Sequence, residues 1–289
     1  MNIKKILKKI LIFFNLRINC WVLLYGKGNN ISNESFSNTQ IINPPKGKFW
    51  ADPFLVNDSG KKYIFFEEYS YNKEKGIIKC GELSNKSLIN VRTVLSGEHH
   101  LSYPCINKID EKYYLIPECS ESNELYIYKS VEFPYLWEKH VKLFDNKRLA
   151  DPTIFQDKND QIWLFVNILN EENNYNSKLN IYKLENNFLN IIPHKKNPVI
   201  DNYSNARGAG NVFYSESGDL LRPSQNNSSN VYGGSLNISK IEILDINNYK
   251  EILLKNLKPN FKFGLKGVHH YTKDGENFLI DGLYSIKIL

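Results

Sequence analysis

The sequence predicts an all-β chain, a single five-bladed β-propeller preceded by a short basic amphipathic helix. One pattern recurs five times: a small or polar motif, an apolar strand, a turn with Asp, Asn or Gly, and a second apolar strand. The instances are FWADPFLVNDSGKKYIFFEEY from Phe49, LSYPCINKIDEKYYLIPECS from Leu101, LADPTIFQDKNDQIWLFVNIL from Leu149, ARGAGNVFYSESGDLLRPSQN from Ala206 and KGVHHYTKDGENFLIDGLY from Lys266. Their landmarks Asp52, Pro104, Asp151, Gly210 and His270 stand 52, 47, 59 and 60 residues apart. Periods of this size, each holding several short strands, mark propeller blades. Composition agrees, since 18 Tyr and 16 Phe against a single Met suit half-buried strands better than helices. A β-sandwich is the structural alternative, but it gives no reason for a fivefold recurrence.

Each repeat is read with its first strand innermost and the loop before it facing a central funnel. Further strands follow, such as LYIYKS from Leu125 and LNIYKL from Leu179. The fifth repeat ends at Leu289, too early for a full blade. The segment WVLLYGK from Trp21 is expected to supply the missing strand, so that no sheet edge is left open. The propeller is therefore assigned to residues 19–289 and a separate N-terminal segment to 1–18.

That segment reads IKKILKKILIFFNL from Ile3, with Lys4, Lys5, Lys8 and Lys9 on one side of a helix and Ile3, Ile6, Leu7, Ile10, Leu11 and Phe14 on the other. Its unbroken apolar run is far short of the roughly 20 residues that span a bilayer. A longer apolar core and a small-residue cleavage site, as in an export signal, are not found. Residues 3–16 read either as a helix lying on an anionic membrane surface or as an ordinary helix packed on the domain.

The formal charge of +6 is mild and partly carried by those four lysines. No other basic stripe exists of the kind nucleic acid needs, so no nucleic-acid partner is expected. Cys20, Cys80, Cys105 and Cys119 form no C-x-x-C pair, which argues against a zinc ribbon or a redox motif. They read as free thiols in a reducing cytoplasm.

Stacking the repeats brings polar residues to equivalent inner positions. Asp52 in WADPF and Asp151 in ADPT both precede a proline at the start of an inner strand, and Tyr103 takes that place in the second repeat. One Asp-Pro pair is ordinary turn chemistry. Two at the same place in one funnel point to function. Glu118 ends the second strand of repeat two, and Glu67 and Glu68 end that of repeat one, with Glu68 assigned to the substrate. Arg222 and Gln225 hold the matching place in repeat four, and Arg207 precedes its inner strand. His269 and His270 open repeat five, and His99 and His100 precede repeat two. Adjacent strand residues face opposite ways, so each histidine pair offers one ring to the funnel. Ligand hydrogen bonding suits these rings better than a metal, and no metal or cofactor is assigned. Trp50, Tyr103 and Tyr232 are placed for stacking on a sugar ring, and Arg207 and Arg222 for clamping a phosphate or carboxylate.

WADPF, SYP, PE and ADPT in consecutive blades resemble the five-bladed arabinanase and invertase-like glycosidases. A longer ordered string covers nearly the whole chain from about residue 45: FWADPF, HLSYPCI, YYLIPE, ELYIYKSVEFPYLWE, LADPTIF, WLFV, RPSQN, YG and GVHHY. It resembles the N-terminal propeller domain of the glucosamine inositolphosphorylceramide transferase family. The resemblance implies the fold, and bacterial relatives of that domain belong to surface-polysaccharide settings. It speaks less to activity, because the plant transferase assignment rests on a different domain. The glycosidases carry acidic residues in three successive blades; here the second blade offers Tyr103 and Glu118, so their roles do not carry over one for one.

The leading expectation is a glycosyltransferase of surface-polysaccharide assembly at the cytoplasmic face of the membrane. It would take an activated sugar, with a lipid-linked acceptor as partner. Asp52 would be the general base, Asp151 and Glu118 would orient the sugar or tune Asp52, and Arg207, Arg222 and His270 would meet donor phosphates. A glycoside hydrolase with Asp52 as base or nucleophile and Glu118 as acid is the alternative. A non-catalytic glycan-binding propeller is the third reading.

Overall fold

The computed structural model describes residues 17–29, 31–85, 87–169, 177–229 and 231–287. Residues 3–16, expected to form the amphipathic helix, lie outside them. Blade five takes its two outer strands from the start of the chain, β1 (Arg17–Lys27) and, after the short helix α1 (Asn33–Ser37), β2 (Gln40–Ile42). Blade one is β3 (Lys48–Asp58), β4 (Lys61–Ser70), β5 (Lys75–Ser84) and β6 (Ser87–Leu95). Blade two is β7 (Ser102–Ile109), β8 (Lys112–Glu118), β9 (Leu125–Glu132) and β10 (Leu136–Phe144). Blade three is β11 (Leu149–Gln156), β12 (Ile162–Ile168) and β13 (Lys178–Glu185), edged by β14 (Asn190–Pro193) and β15 (Ile200–Asp201). Blade four is β16 (Phe213–Tyr214), β17 (Leu220–Gln225), β18 (Leu236–Leu244) and β19 (Tyr249–Leu257). The hairpin β20 (Leu265–Asp274) and β21 (Asn277–Lys287) completes blade five in the order β2-β1-β21-β20.

Ring closure is one unbroken antiparallel register, Arg17 opposite Lys287 through Lys27 opposite Asn277. The N-terminus thus supplies two strands of the last blade where the sequence suggested one. Every sheet is antiparallel, as the five-bladed reading expects.

Among the described residues the buried apolar side chains fall into five clusters, one in each cleft between neighbouring blades. Strand alternation produces this. In β4, Ile64 and Phe66 enter the cleft toward blade five while Tyr63 and Phe65 enter the cleft toward blade two. Strands buried on both faces therefore read as continuous runs such as YIFF rather than as alternation. Tight two-residue turns join the inner pairs: Ser59 and Gly60 have φ +50° and +79°, and Asp110 and Glu111 have φ +48° and +60°. Positive φ at both positions matches the right-handed twist of the strands they join.

The inner strands share a local break. A bulge interrupts the pairing between Ala51 and Phe54, Ser102 and Cys105, Ala150 and Thr153, and Val268 and Tyr271. In the first three it holds Asp52, Tyr103 and Asp151 at φ +49°, +45° and +49°. Bulges re-aim side chains next to sites. Blade four replaces this stretch with ARGAG, where Gly208 bridges to Ser224. Gly210 there has φ +127°, and a Cβ on it would lie 1.8 Å from the carbonyl oxygen of Tyr271.

Gly210→Ala is expected to cost about 3 kcal/mol through forced backbone strain and overpacking. That lowers Tm by roughly 6 °C or more in a chain of this size. Thermal denaturation followed by circular dichroism checks it, and an unchanged Tm would disprove the close approach.

Candidate functional site

The bulges turn backbone N–H groups into the funnel, and polar side chains of neighbouring strands receive them. Asp281 Oδ2 accepts from Asp52 N at 3.1 Å, and Asp52 Oδ2 accepts from Tyr103 N at 3.3 Å. Glu118 Oε2 accepts from Asp151 N at 3.0 Å, and Asn167 Oδ1 from Gly208 N at 2.9 Å. Around these groups lies a cavity of about 230 Å³ lined by Asp52, Glu67, Glu118, Asp151, Arg207, His100 and His269, with Trp21, Phe49, Tyr69 and Tyr232 on its walls. It is smaller than the roughly 300–1,000 Å³ of sites that enclose drug-sized ligands, and suits a single small ring. Phe49 and Tyr69 stack at 4.7 Å, and Trp21 stacks on His269 at 4.1 Å.

Of the residues picked from the sequence, the structure gathers Asp52, Asp151, Glu118, His100, Arg207, Tyr232 and His269 around this cavity. Tyr103 and His270 lie beneath it. The Tyr103 hydroxyl accepts from Gly210 N at 2.9 Å and sits 2.8 Å from Thr153 Oγ1. The fully buried His270 places Nδ1 3.6 Å from Asp52 Oδ1. Gln225 donates to the carbonyl of Gly208 from below the same loop.

Three assignments are corrected. Glu68 faces away from the cavity, where Lys48 Nζ at 2.6 Å and Trp50 Nε1 at 3.0 Å bind it. Its neighbour Glu67 points in, because successive strand residues take opposite faces. Trp50 goes with Glu68 into the cleft beside Phe66 and cannot stack on a ligand in the cavity. Arg222 is buried in a two-pronged pair with Glu251, at 2.7 and 2.8 Å, and donates to the carbonyl of Asn205. It braces the segment that carries Arg207 and has no face toward the cavity. The sequence argument that one ring of each histidine pair meets the funnel holds for the lining. The bulge nevertheless brings both His269 and His270 within 3.6 Å of Asp52 Oδ1.

Glu67 could have been found by counting from the turns. It follows the hairpin partner Lys61 by six residues, as Glu118 follows Lys112. Asp281 and Trp21 carried no such signal.

The electrostatics separate the carboxyl groups. Burial works against charge on Asp52, but the imidazoles of His270 and His269 and the Arg207 guanidinium outweigh it and hold its carboxyl below the usual aspartate value. Burial and the Asp151 charge push Glu118 up to about 8, tempered by Arg207. Glu67 is pushed well above its ordinary value by burial and by Asp52, Glu118 and Asp281. Arg207 donates to Asp151 Oδ2 at 2.7 Å, an ion pair that charge burial demands. His100 accepts from Gly76 N at Nδ1, 3.0 Å, which leaves its Nε2 proton facing Glu67 Oε1 at 3.3 Å.

Among the described residues one group is close enough to hold a cation: Asp52, His269 and Asp281, within 4.8 Å of one another. Its donor set does not fit a metal well. Both Asp281 oxygens are already taken, Oδ1 by the N–H groups of His269 and His270 and Oδ2 by Asp52 N and the His269 ring.

Residues 31–271 match the family model described as glucosamine inositolphosphorylceramide transferase 1, N-terminal. The chain belongs to this family. Among its relatives is glucosamine inositolphosphorylceramide transferase 1 of Arabidopsis thaliana, 30% identical over 230 residues, covering 77% of this chain and 29% of the relative. The protein of the same name from Oryza sativa subsp. japonica is 31% identical over 209 residues, 71% of this chain and 28% of the relative. The chain thus spans less than a third of these relatives' length. In fold it is similar to a thermostable family-43 glycoside hydrolase, with TM-score 0.58 and 14% identity over 85% of this chain and 92% of that one. The catalytic domain of a Coprinopsis cinerea GH62 alpha-L-arabinofuranosidase gives TM-score 0.59 at 9% identity, over 90% and 97%.

A raised carboxyl makes stability pH-dependent. Glu118 binds its proton more tightly folded, at about 8, than its ordinary 4.5. Its favourable contribution is therefore complete below the unfolded value and is lost as pH rises through the folded one. Glu118→Gln keeps an acceptor for Asp151 N and removes the titration. Between pH 5 and 9 the wild type should lose more than about 1.4 kcal/mol relative to this variant, one pK unit's worth. Parallel stability curves from denaturant titrations would refute the assignment.

Proposed function

We propose that this protein is a carbohydrate-active enzyme that acts at a glycosidic bond, with Asp52 as base and Glu118 as acid. The observation that carries the reading is the separation of two carboxyls in one small cavity, Asp52 held ionised and Glu118 proton-bearing near neutral pH. Two carboxyls pushed apart by their surroundings mark an acid and a base, and cleavage of a glycosidic bond needs both. Glu118 gives its proton to the departing oxygen. Asp52 takes one from the incoming hydroxyl or, as a nucleophile, engages the sugar carbon directly. Asp151, held ionised by its pair with Arg207, is the charge beside Glu118 that favours the Glu118 proton. Trp21 and the stacked Phe49 and Tyr69 offer apolar faces to the sugar ring.

Family membership favours a second reading in which the acceptor is another sugar or lipid-linked hydroxyl rather than water, since the relatives named above are transferases. Against a phosphate leaving group stands the cavity's charge: Arg207 is already committed to Asp151, and Arg222 points elsewhere. The setting proposed is surface-polysaccharide assembly at the cytoplasmic face of the membrane, on the strength of the basic apolar residues 3–16. No helix among the described residues is long and apolar enough to cross a membrane.

Asp52→Asn and Glu118→Gln should each lower kcat by about 10²- to 10⁴-fold while leaving sugar binding within a few-fold. The wild-type profile of kcat/KM should be bell-shaped, with its alkaline limb near the Glu118 value of about 8. Product analysis with and without acceptor oligosaccharides separates hydrolysis from transfer. Full activity in both variants would overturn the acid and base assignment, and sugar binding without turnover in the wild type would leave a glycan-binding module.

A further inference from the structure

His269 and Asp281 remain outside the acid and base just assigned. Asp281, on β21, is fully buried and has four polar partners within 3.1 Å. Three are backbone N–H groups of the two bulges that flank it, Asp52, His269 and His270. The fourth is the His269 ring, whose Nδ1 lies 2.6 Å from Asp281 Oδ2, a separation that two acceptors do not reach without a proton between them. With Nδ1 so held, Nε2 is the free end of the ring, and it lies 3.6 Å from Asp52 Oδ1. Trp21 stacks on the ring and the Tyr232 ring meets it edge-on, so two aromatic contacts brace its orientation. Gly233 makes room for this stack, since a Cβ there would lie 2.7 Å from Trp21.

We propose that Asp281 and His269 form a buried dyad that holds Asp52 in the ionised state its role as base requires. This rests on the reading of Asp52 as base. Asp281 is a positioning residue: its carboxylate fixes the imidazole tautomer and stabilises the imidazolium, as a carboxylate does behind a catalytic histidine. The imidazolium then presents Nε2–H to Asp52. The charged and titratable groups facing the dyad are Asp52 from β3, Glu67 from β4, His270 from β20, Arg207 from the ARGAG segment, and Tyr232 from the loop before β18. Burial and Arg207 disfavour charge on His269, yet the two aspartates outweigh them and raise its proton affinity above the ordinary histidine value. Placement on the ring-closing hairpin ties the dyad to the fold itself.

The test is Asp281→Asn in the full chain, read first by NMR titration of the His269 ring carbons and the Asp52 carboxyl. Losing an opposite charge at this distance should lower the His269 value by about 1–3 units. In the second variant below, the acid limb of kcat should move up with Asp52, while KM changes less than about threefold in both. Because Asp281 also receives three backbone donors, His269→Gln is the second variant. It keeps a neutral donor, leaves Asp281 in place, and should raise the Asp52 value by a similar amount. An Asp52 titration unmoved in His269→Gln overturns the dyad, as does an unmoved His269 titration in a folded Asp281→Asn. If the wild type turns over no glycan, the functional reading fails while these titrations still decide the dyad.

Discussion

The bulge in the inner strands is the constraint on which the site depends. Asp52, Tyr103 and Asp151 are held at positive φ just before a proline, where the chain ordinarily prefers extended backbone. Each such residue costs on the order of 1–3 kcal/mol and persists only where its surroundings over-determine it. Here they do so by hydrogen bonding. The turned-in N–H groups cannot join the sheet ladder, and a buried N–H left unmet is costly. Side chains of adjacent blades meet them: Asp281 for Asp52, Asp52 for Tyr103, Glu118 for Asp151, Asn167 for Gly208. The interblade contact and the polar cavity are therefore the same set of atoms.

That origin explains the electrostatics. The carboxylates are in the funnel as acceptors for the bulges, and their crowding follows. The surrounding donors are unevenly placed. Asp52 faces two imidazoles and accepts from Tyr103 N, so its charge is favoured. Glu118 has one backbone donor and the Asp151 carboxylate beside it, so its proton is favoured. A structural requirement thus leaves an acid and a base in one cavity on neighbouring blades.

Much of this was legible in the sequence, and the illegible parts share a cause. Five repeats with two Asp-Pro pairs locate the blades, the funnel and Asp52, Asp151 and Glu118, because those positions are set by period and by proline. Glu68 in place of Glu67 is an error of one residue, and in a strand one residue exchanges the faces. Trp50 moves with it. Arg222 was misread because a guanidinium near a funnel suits either a ligand or an internal partner. The partner, Glu251, lies on the outermost strand of its blade, 29 residues on, where no local pattern points to it. Asp281 sits at a position where blades one to three have Phe66, Pro117 and Val166, so comparing repeats hides it.

The last two residues missed also show how the site is assembled. Trp21 comes from β1 and Asp281 from β21, and these strands pair across almost the full length of the chain. Contacts of such separation in sequence carry a large loop-closure cost, which must be met before they reward it. Until the strands pair, the Trp21 face is absent from His269 and the Asp52 bulge lacks its acceptor in place. Blades one to three can form their hairpins locally, but the partners that keep Asp52 charged once it is buried are in place only when the ring closes. The chain ends are therefore a working part of the site, and the pairing that seals the propeller also completes the chemistry in its funnel.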